Sequence, residues 1–320
     1  MPSAPHSLRY PPVRTADLSA QDWPQISLVT PCYNMADYLD DTIQSILSQG
    51  YPNLEYVIID GGSTDGSVDI IKRYEEHLAS WVSEPDGGMY DAINKGFART
   101  SGEIMGWLNA DDIYHPGALF TIGEIFATMP DVRWMHGHPN AHDSAGRTVQ
   151  IWERRVWSRY NYYLGDYHWI NQASTFWRRG LWEEADGYVD DALKYAGDME
   201  LWTRFFRHAQ LVTASTILGG FRSRTGQFST AYRDTYIEEV ESVLDRERTR
   251  LTPPVEQRYR RLERMKSFFD LLDRLRILNV DGLKRRVGYH DLFEYPDYIK
   301  YNYQTGAFER RQPWHGWFRG

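Results

Sequence analysis

The chain has 320 residues, of which 42% are apolar and 25% charged, and its formal charge is −8. These values exclude long-range disorder, allow one large domain or a domain with an appendage, and argue against wholesale nucleic-acid binding, which needs a basic face. The single cysteine, Cys32, excludes an internal disulfide and fits a reducing compartment; with no run of about 18 apolar residues and no signal-peptide core, the expected location is cytoplasmic.

Residues 1–22 hold four prolines and little periodicity, so a flexible leader is expected there. Ile26–Thr30 reads as a short apolar strand. Residues 38–49 place Leu39, Ile43, Ile46 and Leu47 at helical spacing. Leu54–Asp60 is a second strand, and the turn Gly61–Gly66 opens a helix over residues 67–77. Trp81–Ser83 ends a third strand, and 89–99 is helical. Residues 103–109 form a fourth strand, 117–129 a helix, and 132–136 a fifth strand. Residues 137–197 are less regular and rich in Trp, Tyr and Arg. From Arg233 to Leu278 the pattern is helical and charged, broken at Pro253-Pro254, with Val240, Leu244 and Leu251 on one face. The last 35 residues are aromatic and basic without a clear period. Three regions are expected: the leader, a domain over 23–230, and a helical and aromatic extension over 231–320.

Strand and helix alternate at short intervals, which predicts an α/β fold with a Rossmann-like, mainly parallel sheet flanked by helices. Ligands of such sheets bind beyond the carboxyl ends of the strands. Four polar clusters fall there: Pro31-Cys32-Tyr33-Asn34, Asp60-Gly61-Gly62, Glu84 to Gly88, and Asn109-Ala110-Asp111-Asp112.

Two adjacent carboxylates after an apolar strand, Asp111 and Asp112, suit a hard cation that keeps waters and shares substrate phosphates. The alternative is that one of them caps the helix expected near Pro116. The turn after Asp60 presents backbone N–H groups, yet lacks the Gly-Lys-Ser/Thr ending of a Walker A loop and is not G-x-G-x-x-G. Asp198, in Ala196-Gly197-Asp198-Met199-Glu200-Leu201-Trp202, is either an N-cap or a general base. Glu200 points to another helix face, and Glu183 and Glu184 read as solvated. The chain has 12 Trp, 22 Tyr and 13 Phe. Such rings stack on sugars, though each alone reads first as core.

Taken together, ISLVTPCYN, SILSQGYPNLEYVIIDGGSTDGS, EPDGGMYDAINKGFARTSGEIMGWLNADD, QASTFWRRGLW and AGDMELW resemble the family 2 glycosyltransferases, an inverting group with the GT-A fold. The resemblance runs from about Ile26 to Ser229. It implies that Pro31, Tyr33, Asn34 and Asp60 hold the nucleotide base, with Thr30, Gly61, Asp86, Gly87, Asn94, Asn109, Ala110 and Asp111 completing the nucleotide-sugar site. It implies Mn²⁺ or Mg²⁺ on Asp111, with Asp112 beside it, and Asp198 as catalytic base. Four departures stand out. Gly61 replaces a second acid, Asn109 replaces the first Asp of D-x-D, Gly197 replaces the acidic neighbour of the base, and Arg224 stands where a histidine is often found.

The implied reaction moves a sugar from a UDP- or GDP-sugar to a hydroxyl of a glycan or lipid-linked acceptor, in polysaccharide or glycolipid biosynthesis, with inversion. A catalytically silent nucleotide-binding scaffold of the same fold is the alternative. A nucleotidylyltransferase would want a basic glycine-rich loop where this chain has Pro31-Cys32-Tyr33-Asn34. Cys32, inside that loop, is expected to be shielded by bound nucleotide, the alternative being a buried, inert thiol. Residues 255–320 carry Arg258, Arg260, Arg261, Arg264, Lys266, Lys284, Arg285 and Arg286, ending in Trp314, Trp317 and Phe318. They are expected either to touch an acceptor or a membrane surface peripherally, or to brace the domain.

Overall fold

Strand β1 (Ile26–Cys32) is buried along its whole length, as a central strand covered on both faces must be. It pairs in parallel with β2 (Leu54–Asp60) on one side and β4 (Ile104–Trp107) on the other. The strand runs two residues beyond the apolar stretch expected from sequence, because Pro31 lies past the end of the β4 ladder, where no donor is required of it. Outward from β2 lies β3 (Ser80–Ser83). Beyond β4 come β9 (Thr175–Arg178), β6 (Trp134–His136) and β10 (Val212–Thr213). Among the described residues, 23–166, 170–223, 233–276 and 279–313 of a computed structural model, these strands form one seven-stranded sheet in the order β10-β6-β9-β4-β1-β2-β3. Only β9 runs against the rest. The expected leader, 1–22, lies outside the described residues.

One sheet face is covered by α1 (Leu39–Leu47) and α4 (Ala118–Thr128), which bury Leu39, Ile43, Ile46, Leu119 and Ile122 against Ile26 and Leu28. Alternate side chains of β1 point the other way, and Val29 meets α3 (Met89–Phe97) through Ile93 and Phe97. This second face is the aromatic one. Trp107 stacks on Trp202 of α7 (Gly197–His208) with centroids 5.7 Å apart and 11° between planes, and Trp177 and Trp134 pack around them. Such a pair adds about 0.5–1.5 kcal/mol beyond area burial. These four rings are core, as each ring was first read.

The helices after residue 232 belong to the same core. Val240, Val243 and Leu244 of the helix Arg233–Arg248, and Tyr259, Leu262 and Phe269 of the helix Pro253–Arg274, are buried with Trp202 and Phe206. The aromatic tail is not formless. Tyr298–Asn302 and Ala307–Arg311 form an antiparallel hairpin. Ile299, fully buried, bridges to Ala214 beside the edge of the main sheet, and Arg310 pairs with Asp131 at 2.5 Å. A second, four-stranded sheet joins β5 (Ile113–Tyr114), β11 (Gly219–Arg222), β7 (Asn140–His142) and β8 (Thr148–Ile151).

Candidate functional site

The carboxyl ends of β1 and β2 are tied together by their own side chains. Asn34 adopts a left-handed backbone, φ 53°; its Oδ1 accepts the Thr64 N–H at 2.9 Å and its N–H donates to Ser63 Oγ at 2.7 Å. Asp60 is fully buried and accepts four hydrogen bonds, from the N–H groups of Gly62 (3.1 Å) and Ser63 (2.9 Å) and the hydroxyls of Ser63 (2.5 Å) and Ser83 (2.6 Å). The turn is thereby rigid, and Tyr33 is left standing 62% exposed at its rim, a ring available to stack on a base.

Thr30 and Cys32 of this edge are buried. Thr30, expected at the nucleotide-sugar site, has its side chain sealed in the sheet, its hydroxyl 3.0 Å from that of Tyr56. Cys32 is buried beside Asp60, and burial followed by that carboxylate pushes its thiol up to about 12. This burial matches the inert alternative for Cys32. Asn94, also expected at the nucleotide-sugar site, has its amide engaged by the backbone of Val189. It donates to the Val189 carbonyl and accepts the Val189 N–H, both at 2.8 Å, which anchors the loop before α7.

At the end of β4, neither Asp111 nor Asp112 caps a helix, since α4 starts after Gly117. Both carbonyls flanking Asp111, those of Ala110 and Asp112, accept the Thr42 hydroxyl, at 2.9 and 2.8 Å. Arg222 on β11 lies behind the pair, fully buried. Its N–H reaches Asp112 Oδ1 at 2.8 Å, its Nε the Asp111 carbonyl at 2.7 Å, and its guanidinium Asp41 at 3.1 Å. Asp112 thus spends a carboxylate oxygen on the strand behind it. Asn109 Oδ1 is buried without a partner, an orphaned oxygen at the first position of the motif. Among the described residues no three His, Cys, Asp or Glu side chains are grouped to hold an ion by themselves. The oxygen donors of Asn109 and Asp111 therefore fit only a hard cation that draws its other ligands from phosphate and water.

Asp198 lies in the first turn of α7, which starts at Gly197 after Ala196, so Asp198 is not the N-cap. Its Oδ1 accepts the Met199 N–H at 2.7 Å. Tyr90, Tyr162 and Tyr236 all lie within its field. Burial raises its carboxyl to about 6, partly offset by the Met199 N–H. All three phenols are themselves pushed up, first by burial and then by Asp198, so they remain protonated and able to donate. Glu200 is turned away and paired with the buried Arg204 at 2.8 Å. The link to the strand ends is Tyr90. It follows Asp86-Gly87-Gly88 on α3, and its hydroxyl accepts the Gly197 N–H at 3.0 Å.

Residues 27–180 match the sequence profile described as glycosyl transferase family 2. This segment belongs to that family. A glycosyltransferase of Nostoc sp. is 37% identical over 128 residues, 39% of this chain and 39% of the relative. A putative teichuronic acid biosynthesis glycosyltransferase, TuaG of Bacillus subtilis, is 39% identical over 92 residues, 28% of this chain and 36% of the relative. The chain thus spans less than half the length of either. The fold is shared with S. aureus TarS residues 1–349, solved in complex with UDP-GlcNAc, at a TM-score of 0.61 and 20% identity over 73% of this chain and 70% of that one. The fold is GT-A, with a helical extension.

Two departures from the family pattern now have a physical cause. A Cβ at Gly61 would sit 2.9 Å from Asp86 Oδ2, so the carboxylate of Asp86 fills the space where the family often carries a second acid. A Cβ at Gly197 would meet the Tyr90 ring at 2.7 Å, so the space beside Asp198 is taken by a phenol. Arg224 lies outside the described residues. Sequence reasoning missed Arg222, although it stands two positions before Arg224. It also missed Tyr90, Tyr162 and Tyr236, whose only signal was the general abundance of tyrosine.

Proposed function

We propose that the chain is an inverting glycosyltransferase that moves a sugar from a nucleoside-diphosphate sugar to an acceptor hydroxyl in polysaccharide or glycolipid synthesis. The observation that carries this reading is the Tyr90–Gly197 hydrogen bond, which joins the strand-end loops of a family 2 domain to a carboxylate raised to about 6. Asp198 takes the acceptor proton while that oxygen attacks C1 opposite the departing diphosphate, and a single displacement inverts C1. Tyr90, Tyr162 and Tyr236 exclude water around the base and keep its proton affinity near working pH. Tyr33, Pro31, Asn34, Asp60 and Asp86 frame the base of the nucleotide, and Gly61 and Gly87 let its backbone approach. Uridine is favoured by the fold shared with the UDP-GlcNAc complex of TarS. Asp111, with Asn109 Oδ1, Ala110 and Asp112 around it, would hold Mn²⁺ or Mg²⁺, which supplies charge neutralisation for the leaving diphosphate.

Peripheral membrane contact is supported by the outer face of Pro253–Arg274. Phe268 and Leu271 are about half exposed, and Leu275 beyond them equally so, in line with Arg261 and Arg264, which have no carboxylate partner among the described residues. Arg258, Arg260 and Lys266, by contrast, are ion-paired. Trp314, Trp317 and Phe318 lie outside the described residues, and no described helix is long and apolar enough to cross a membrane.

The test is a thermal-shift screen of UDP- and GDP-sugars with and without Mn²⁺, followed by release of nucleoside diphosphate from the sugar that binds. A selective, metal-dependent shift with turnover is the expected result. Binding without turnover for every sugar and acceptor tried would favour the scaffold.

A further inference from the structure

The start of the helix that carries Asp198 is held by side chains from two other helices. Its N-cap residue, Ala196, offers no side chain to the exposed N–H groups. The three N–H groups that lead into the helix, those of Lys194, Tyr195 and Ala196, are met from outside the family-matched segment. Glu239, on the extension helix Arg233–Arg248, accepts the N–H of Lys194 on one carboxylate oxygen and those of Tyr195 and Ala196 on the other, each at 2.9 Å. Three consecutive backbone donors converging on one carboxylate give charge-assisted hydrogen bonds at the positive end of a helix, where an anion is most favourable. One turn earlier on the same helix is Tyr236, which faces Asp198. From the opposite side Tyr90 takes the next N–H, that of Gly197. Residues 194–197 are therefore clamped between two helices, one from the family-matched segment and one from the extension, and Asp198 is the next residue in the chain.

We infer that Glu239 is a positioning residue for the base: it fixes the 194–197 segment so that Asp198 points at the acceptor, which makes the extension part of the transfer site. This rests on Asp198 being the base. A displacement of about 1 Å at such a group can cost on the order of 10²-fold in rate, while the nucleotide edge, built from other strands, is untouched.

The experiment uses the full chain, a panel of UDP-sugars for turnover, and UDP for affinity. Glu239→Ala should lower kcat by about 10- to 100-fold with UDP affinity unchanged. Glu239→Gln, which keeps an accepting oxygen, should recover part of the loss. In an Asp198→Asn background, Glu239→Ala should remove little more, because both changes act through one group. Wild-type kcat in Glu239→Ala, an equal fall in UDP affinity, or a full additional loss in the double variant would overturn the inference. If Glu239→Ala does not fold, Glu239→Gln carries the same two readings. An Asp198→Asn protein that still turns over normally removes the base assignment itself, a result separable from an active Glu239 variant beside an inactive Asp198→Asn.

Discussion

The strand-end edge and the Asp198 pocket each hold a carboxylate, in opposite ways. Asp60 is wrapped by four donors from its own turn and from Ser83. It is a fixture of a polar loop, solvated by the protein in place of water. Asp198 has one short backbone donor, Met199, and otherwise faces phenol rings. Burial raises its proton affinity, and no cation among its named neighbours lowers it. The first arrangement holds shape for a ligand. The second makes an aspartate able to take a proton near neutral pH. The same residue type sits in two different settings because the surrounding donors differ.

The largest expected effect tests whether that contrast is real. Asp198→Asn should cut transfer by about 10²–10⁴-fold and leave UDP affinity near wild type, as read by initial rates and calorimetry. Normal transfer would make the two carboxylates equivalent fixtures. Next, Asp111→Ala should abolish the metal-dependent part of nucleotide binding, with a rate loss on the order of 10²-fold. The wild type should lose activity in EDTA and regain it with Mn²⁺ or Mg²⁺; full activity in EDTA would make the Asp pair structural.

A smaller effect follows from pH. The base works deprotonated, so the rate should fall as pH drops through about 6, the value to which burial raises Asp198. Because its folded pKa lies above its unfolded one, the charged form costs stability at neutral pH and that cost vanishes under acid. Asp198→Asn should therefore raise Tm more at pH 7.5 than at pH 4, and an equal gain at both would contradict the burial argument. The smallest effect is none at all. Cys32, buried with its thiol at about 12, should resist thiol reagents at pH 8 with or without UDP. Fast labelling that UDP blocks would place it at the ligand face after all.

Much of the fold was legible because parallel βαβ units write themselves locally. β2 was read at its observed bounds, and β1, β3 and β4 within two residues, because buried apolar runs between glycine turns leave few alternatives. The hairpin over 298–311 was not legible. Its strands mix Lys, Arg and Tyr, and its docking depends on one residue, Ile299, buried far along the chain against Ala214.

For the site, the chain by itself determined where polar clusters meet strand ends, since a parallel sheet brings all its carboxyl ends to one edge. It also placed Asp198 near the start of a helix. Only the tertiary structure decided which of those side chains remain available. Thr30 and Asn94 find partners in Tyr56 and Val189, residues 26 and 95 positions away. The space beside Gly61 is filled by Asp86, and that beside Gly197 by the buried ring of Tyr90. The clamp on the 194–196 segment comes from Glu239, more than forty residues downstream. Local pattern reports backbone periodicity and burial of apolar faces. The partner of a polar group is set by whatever packing brings within about 3 Å, and that distance has no fixed separation in sequence.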